Sequence, residues 1–145
     1  MSKKPVGAAA VIMDSKGRIL LVKHNYGKYN WELPVPGGLS EQNESAENTA
    51  KREVLEETGL DAAVGRLTGV YYEPAHDMHH FVFECKAEDI RQPKPDAEEV
   101  TECKFFNVDD LPRPISDFTV SRIKDALNPD SDHLFHTIGP RQWFE

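Results

Sequence analysis

Acidic side chains at helical spacing mark the part of the chain best suited to chemistry. Glu53, Glu56 and Glu57 lie three and four positions apart, so at about 100 degrees per residue they share one face of a helix. Carboxylates crowded on one face repel each other unless cations neutralise them, and their hard oxygen atoms suit Mg2+ or Mn2+. The spacing predicts a divalent-metal site, whereas the plainer alternative is a solvated acidic helix face.

The neighbouring residues predict the elements that hold this face. Ser45 is a good helix N-cap, the stretch 46–57 contains neither Gly nor Pro, and Gly59 stands where a left-handed C-terminal residue is wanted. Before the helix, Gly37 and Gly38 form a turn in which the carbonyl of Gly37 can approach a metal ion as a neutral ligand. We therefore predict a glycine turn followed by a helix over residues 46–57.

Arg52 directly precedes the acidic residues on the same helix. It lies four positions before Glu56, within reach on the helix surface, and it can alternatively reach Glu44 in the preceding loop. Either contact orients a carboxylate, which is the role we predict for Arg52 in preference to substrate contact.

The whole segment from Gly38 to Leu60 reads G-x5-E-x7-R-E-V-x-E-E-x-G-L. This pattern fills every fixed position of the motif that defines Nudix hydrolases, and a chance match is expected in roughly one sequence in ten million. The resemblance implies an α/β/α sandwich with a mixed sheet, and cleavage of a nucleoside diphosphate derivative within its pyrophosphate. It also implies roles for the acidic positions: Glu53, Glu56 and Glu57 would bind the catalytic cations, with Glu44 and Arg52 in support.

The resemblance does not by itself assign one residue as the general base. Some members of the family use a Glu from a distant loop, and Glu98 or Glu99, after the Pro-rich stretch 92–96, is the counterpart here. The alternative for either residue is a solvated turn acid.

Two departures from the family pattern concern the surroundings of the motif. Val35 and Pro36 form an apparent two-residue insertion before the glycine turn, which leaves the metal site intact but weakens inference about the nucleoside pocket. Asn43 replaces a usual Gly, and Asn is the other residue that tolerates a left-handed backbone well.

The substrate class depends on residues outside the motif. Pro74 lies near the position where members acting on ADP-ribose tend to have a proline, although a turn proline is the alternative. Enzymes acting on oxidised guanine nucleotides can use an Asn in the loop after the last strand, and residues 112–116 contain none. Four aromatic residues are expected near the entrance of the active site, where they either stack on a base or pack at the rim of the entrance. They are Tyr26 and the three assigned as candidate substrate contacts, Tyr29, Trp31 and Tyr72.

Apolar runs predict strands that surround two helices. The strands are expected at 6–13, 18–24, 67–72, 80–86 and 100–106, with a short one around Trp31 and Leu33. The first two are expected to pair as an antiparallel hairpin across a Gly-containing turn. Ser116 is expected to cap a second helix that buries Val120, Ile123 and Leu127. This order indicates the α/β class, with residues 1–145 forming one domain.

Charge and cysteine content limit the partners. The 145 residues carry a formal net charge of −8, so we expect no nucleic acid polymer to bind, whereas an anionic small molecule can bind once cations neutralise the carboxylates. Cys85 and Cys103 show no metal-ligand spacing and are expected to be buried thiols in a reducing cytoplasm. No apolar run is long enough to span a bilayer, so no membrane partner is expected. Trp143 and Phe144 are expected to cover the core or a subunit interface, which leaves a homodimer open.

We therefore expect a cytoplasmic hydrolase that uses Mg2+ or Mn2+ on a small nucleotide, with ADP-ribose-like compounds first and nucleoside triphosphates second. A different class stays open, namely a Nudix-fold sensor that binds a nucleotide without hydrolysing it. The intact acidic positions favour the enzyme, and no basic patch or DNA-binding helix pair is visible in the sequence.

Overall fold

The computed structural model describes residues 4–24, 35–87, 93–95, 100–130 and 132–145. Within these residues, the regular secondary structure comprises nine strands, two α-helices and a 3-10 turn. The strands are β1 (Val6–Ile12), β2 (Ile19–His24), β3 (Gly37–Leu39), β4 (Ala62–Glu73), β5 (Met78–Ala87), β6 (Val100–Phe106), β7 (Ile115–Ser116), β8 (Phe135–Thr137) and β9 (Trp143–Phe144). The helices are α1 (Ala46–Thr58) and α2 (Asp117–Ala126), and Pro74–His76 form a 3-10 turn.

The main sheet is mixed and brings distant parts of the sequence together. Its five strands lie in the order β3-β1-β5-β4-β8. The pairs β1–β5 and β4–β8 are parallel, whereas β1–β3 and β4–β5 are antiparallel. Two further antiparallel pairs, β2–β6 and β7–β9, complete the strand pairing. A mixed sheet was predicted and is confirmed.

The expected hairpin between the first two strands is wrong. Only a single bridge, between Met13 and Ile19, joins them next to the turn at Asp14–Gly17. A strand has two edges, and those of β1 are occupied by β3 and β5, so β2 pairs with β6 instead. The turn was predicted correctly because it is local, whereas competition for the strand edges depends on long-range partners.

Successive residues of β1 point into two separate cores. Ala8, Ala10 and Ile12 belong to the core that includes Ala50 and Val54 of α1. The alternate residues Ala9 and Val11 belong to a second core, which includes Phe118, Ile123 and Ala126 of α2. Because side chains alternate across a strand, the two helices cover opposite faces, which gives the α/β/α sandwich.

Helix α1 has the predicted caps at both ends and extends one residue beyond the predicted range, to Thr58. The Oγ of Ser45 accepts a hydrogen bond from the N–H of Asn48 at 3.2 Å. At the other end Gly59 adopts a left-handed conformation, with a φ of 73°, and its N–H donates to the carbonyl of Leu55. These caps fix where the acidic face begins and ends.

Helix α2 is capped by Ser116 as predicted, but its buried face differs from the predicted one. The buried residues are Phe118, Thr119, Arg122, Ile123 and Ala126, whereas Val120 and Leu127 are half-buried. Only Ile123 of the three predicted residues is buried. The prediction followed the spacing of apolar residues alone, whereas the observed buried face also includes the polar residues Thr119 and Arg122.

Several smaller expectations have clear outcomes. Val35 is buried in the core beside α2, and the carbonyl of Pro36 accepts a hydrogen bond from Ala10, so the apparent insertion is part of the packed sheet. Asn43 has a φ of 62°, as its tolerance of left-handed backbone predicted. Cys85 is buried, but Cys103 is only half-buried. The expected strand around residues 31–33 lies outside the described residues.

Neither α-helix in the described ranges combines the length and apolar character needed to cross a membrane.

Candidate active site

A close approach between two elements places Glu53 against the glycine turn. In strand β3, Gly38 lies opposite Ala8 of β1. A Cβ atom added to Gly38 would lie 2.6 Å from the carboxyl carbon of Glu53 and 2.8 Å from each of its oxygens. A side chain at position 38 would displace this carboxylate, which accounts for glycine at the first fixed position of the motif.

Arg52 joins the loop, the sheet and the helix through one guanidinium. Its Nε donates to Oε2 of Glu44 at 2.8 Å, and its Nη2 donates to Oε1 of the same carboxylate at 3.0 Å. Nη1 donates to Glu53 at 2.8 Å and to Glu56 at 3.2 Å. Nη2 also donates to the carbonyl of Leu39 at 3.0 Å. The two contacts expected as alternatives, to Glu44 and to Glu56, both occur.

Glu44 accepts several hydrogen bonds in its ionised form. Besides the two bonds from Arg52, the Thr49 hydroxyl donates at 2.7 Å and the Glu41 backbone N–H at 3.1 Å. Chiefly the Arg52 bonds, and then those from Glu41 and Thr49, lower the pKa of Glu44 to about 2. The carboxylate is therefore ionised at neutral pH and fixes the guanidinium in place.

The three carboxylates of α1 differ widely in exposure. The Glu57 residue is only 3% exposed, and its Oε1 accepts a hydrogen bond from the N–H of Gly37 at 2.8 Å. The side chain of Glu53 is 16% exposed and that of Glu56 is 54% exposed. The acidic face thus runs from a buried carboxylate beside the glycine turn to one at the surface.

Glu53 and Glu57, together with Arg52, form one wall of a cleft of about 490 Å³, called here the active-site cleft. Its lining comprises residues 7–9 and 37–39 of β1 and β3, Arg52, Glu53 and Glu57 of α1, Met78 and His80 of β5, Arg122 of α2, and His24, Val35 and Glu41. The cleft therefore contains residues from both helices, and its acidic part belongs to α1.

The donor chemistry of the acidic wall fits a divalent cation. Glu53 and Glu57 supply carboxylate oxygens next to the backbone of Gly37, which matches the oxygen ligands that Mg2+ and Mn2+ prefer. In the ranges covered by the structure, no three His, Cys, Asp or Glu side chains converge as a preformed metal cluster. The acidic wall therefore fits a divalent cation by the type of its ligand atoms and by their common location in the cleft. Arg52 already fixes one of these ligands, Glu53, in place.

The other predicted site residues are less closely grouped. Glu56 and Glu44 contact Arg52 but are not lining residues of the cleft. Tyr72 lies at the end of β4, where its hydroxyl donates to Asp77 at 2.7 Å, and it does not line the cleft. Tyr29, Trp31 and Glu98 lie outside the described residues, so their roles stay predictions.

His80 and Arg122 are among the lining residues that the sequence did not assign to this site. His80 of β5 is paired with Glu73, whose Oε1 lies 3.2 Å from Nε2, and burial lowers the pKa of this imidazole despite that carboxylate. Arg122 is 3% exposed on the buried face of α2. Arg122 lies three or four positions from residues 118, 119 and 126 of the buried face, and this helical spacing is the signal that would have identified it.

Comparison with known proteins identifies the family. The sequence profile of the NUDIX domain matches residues 3–126. A MutT-like protein from Streptomyces ambofaciens is 31% identical over 129 residues, which cover 89% of this chain and 80% of that protein. An ADP-ribose pyrophosphatase from Methanocaldococcus jannaschii is 31% identical over 115 residues, covering 75% and 66% of the two chains. The chain belongs to the Nudix family and is a hydrolase acting on acid anhydrides.

Solved structures agree with this assignment at the level of the fold. A NUDIX hydrolase from Nitrosomonas europaea superposes with a TM-score of 0.79 at 22% identity. The superposition covers 95% of this chain and 80% of that one. The predicted Nudix-type α/β/α sandwich is therefore confirmed.

Proposed function

We propose that the chain hydrolyses the pyrophosphate linkage of a nucleoside diphosphate derivative with the help of Mg2+ or Mn2+. The burial of Glu57 beside Glu53 on the cleft wall carries this proposal. A buried carboxylate is costly to keep ionised, and a neighbouring carboxylate increases that cost. A divalent cation bound between them offsets both costs and supplies the charge that a diphosphate requires.

Each charged residue at a fixed position of the motif has a role in this proposal. Glu53, Glu56 and Glu57 would hold the metal, with the carbonyl of Gly37 as a neutral ligand. When bound, the metal would polarise the phosphoryl oxygens and lower the pKa of a water molecule. Arg52 orients Glu53 and Glu56 and is itself positioned by Glu44. The general base is proposed to be Glu98.

The favoured substrate is an ADP-ribose-like compound. Support comes from Pro74 and from the name of the Methanocaldococcus relative, an ADP-ribose pyrophosphatase. Pro74 begins the 3-10 turn between β4 and β5, so it also has a local structural role. Nucleoside triphosphates are the second candidate, supported by the MutT-like relative from Streptomyces.

A hydrolysis screen tests the proposal. The purified chain is incubated with ADP-ribose, nucleotide sugars, dinucleoside polyphosphates, and normal or oxidised nucleoside triphosphates, each with Mg2+ or Mn2+, and phosphate-containing products are measured. We expect metal-dependent release of a nucleoside monophosphate from at least one compound. Nucleotide binding without turnover of any compound would instead identify a sensor and reject the enzymatic proposal.

A further inference from the structure

Arg122 is a buried cation that lines the active-site cleft from a different helix than the acidic residues. It comes from α2, whereas Glu53 and Glu57 come from α1, and the two helices pack on opposite faces of β1. Arg122 is 3% exposed, yet it is a lining residue of the cleft. A guanidinium in this position contacts the same space that a bound nucleotide would occupy.

The contacts of Arg122 leave its charge largely uncompensated. Its Nη2 donates to the Thr119 hydroxyl at 3.1 Å, and its guanidinium carbon lies 4.3 Å from the centre of the Phe118 ring. Its buried Nε–H has no hydrogen-bond partner, and among the described residues no ion pair includes Arg122. A buried donor without a partner and a buried charge without a counter-charge are both costly.

The neighbouring charges increase the need for an anion. Burial, and after it the positive charge of Arg141, lowers the pKa of Arg122 to about 9, so the guanidinium remains charged at neutral pH. Glu73, the nearby buried carboxylate, already faces His80, His76 and Arg141. Glu73 therefore has other partners, and it forms no ion pair with Arg122.

The chemistry of a guanidinium limits what can compensate this charge. It has only donors, so its ligand must accept hydrogen bonds, and an anionic oxygen group does so most strongly. The carboxylates of α1 would repel such a group unless metal were present, so attraction at Arg122 would place it away from them. The cleft thus has one place for a metal-bound diphosphate and another for a second anionic group.

We propose that Arg122 binds an anionic group of the substrate that lies outside the metal-bound diphosphate, either a further phosphate or a carboxylate. This inference rests on the proposed hydrolase function and narrows its substrate class. The group has two sources, the third phosphate of a nucleoside triphosphate or an anionic substituent on the moiety linked to the nucleoside diphosphate. Arg122 thereby acts as a specificity-determining residue.

Matched substrate pairs test the proposal and distinguish the two sources. The pairs are ADP with ATP, UDP-glucose with UDP-glucuronate, and ADP-ribose with ADP-ribose 1″-phosphate, whose extra phosphate is on the distal ribose. We expect wild type to show a kcat/KM higher by about tenfold or more for the more anionic member of at least one pair. Preference in the nucleotide pair indicates the third phosphate, whereas preference in either sugar pair indicates the distal substituent.

Substitution of Arg122 links this preference to the guanidinium. Arg122→Met should remove it mainly by raising KM for the more anionic member, and leave the other member within about threefold of wild type. Arg122→Lys should restore part of the preference because it keeps the charge but not the fork of donors. Lys124→Met, an exposed change on the same helix, is the matched control and should keep the preference. Equal loss on both members of every pair, or no preference in wild type, would overturn the proposal.

A metal-free measurement separates this proposal from the hydrolase function. If no compound is hydrolysed, the proposed function fails, and the thermal midpoint is then measured with tripolyphosphate in EDTA. Without metal, the carboxylates repel this anion, so a rise in Tm for wild type that is absent in Arg122→Met supports the site by itself. No difference between the two proteins in that experiment would overturn it. Arg122→Met is expected to fold, because an apolar side chain replaces an uncompensated buried charge.

Discussion

Arg52 binds Glu44 through two parallel hydrogen bonds, from Nε to Oε2 at 2.8 Å and from Nη2 to Oε1 at 3.0 Å. The same guanidinium also holds Glu53 and the carbonyl of Leu39. One side chain thereby connects the loop before α1, strand β3 and the acidic helix face. This arrangement explains why Glu and Arg eight positions apart belong to the same motif.

Replacing this guanidinium should impair the site more than the fold. Arg52→Lys retains one positive charge but cannot reach all four acceptor residues at once, so Glu53 loses its fixed position. We expect kcat to fall about tenfold to a hundredfold, with a decrease in Tm of about 5 °C or less because the ion pairs are partly screened. Steady-state kinetics and thermal unfolding measure the two effects. Lys51→Ala, an exposed change on the neighbouring residue, is the control, and equal kinetic losses in both variants would contradict the assignment.

The stability of the protein should depend on Glu44 in acid. Its folded-state pKa of about 2 lies below the ordinary value of 4.5, chiefly because of Arg52. Its contribution is therefore complete above pH 4.5 and is lost as the pH falls through about 2. We expect Glu44→Gln to have a lower Tm than wild type at neutral pH, and the difference to shrink across this acidic range. A difference in Tm that stays constant down to the lower end of the range would refute this origin of the stability.

Because Gly38 contacts Glu53, adding a methyl group at position 38 should weaken metal binding. In Gly38→Ala the new Cβ would overlap the Glu53 carboxylate, which can move because it ends a flexible side chain. The fold should therefore persist while affinity for Mn2+ falls by about tenfold or more, because a ligand has been displaced. Isothermal titration calorimetry measures this affinity. Gly139→Ala is the matched control because a Cβ there meets nothing within 4 Å, and unchanged affinity in Gly38→Ala would show that Glu53 is not a ligand.

Local rules made the acidic helix and glycine turn predictable from the sequence. Ser45 and Gly59 fix the ends of α1 by contacts within a few residues, and the carboxylate spacing follows directly from helical periodicity. The pairing of β1 and β2 was mispredicted because the edges of β1 are taken by strands far along the chain. Arg122 was missed for a similar reason. Its helical spacing from Phe118 was a local signal of burial, but the cleft that it lines together with residues of α1 depends on long-range packing.

Hydrolysis by Glu57→Gln tests the central claim most directly. The substitution preserves shape and an oxygen that can accept the hydrogen bond from Gly37, but it removes the buried negative charge expected to bind metal. With a substrate that wild type hydrolyses in Mg2+, we predict that kcat falls by about a hundredfold or more while Tm is not lowered. Turnover close to that of wild type, in a variant that is folded and saturated with Mg2+, would contradict the role assigned to Glu57.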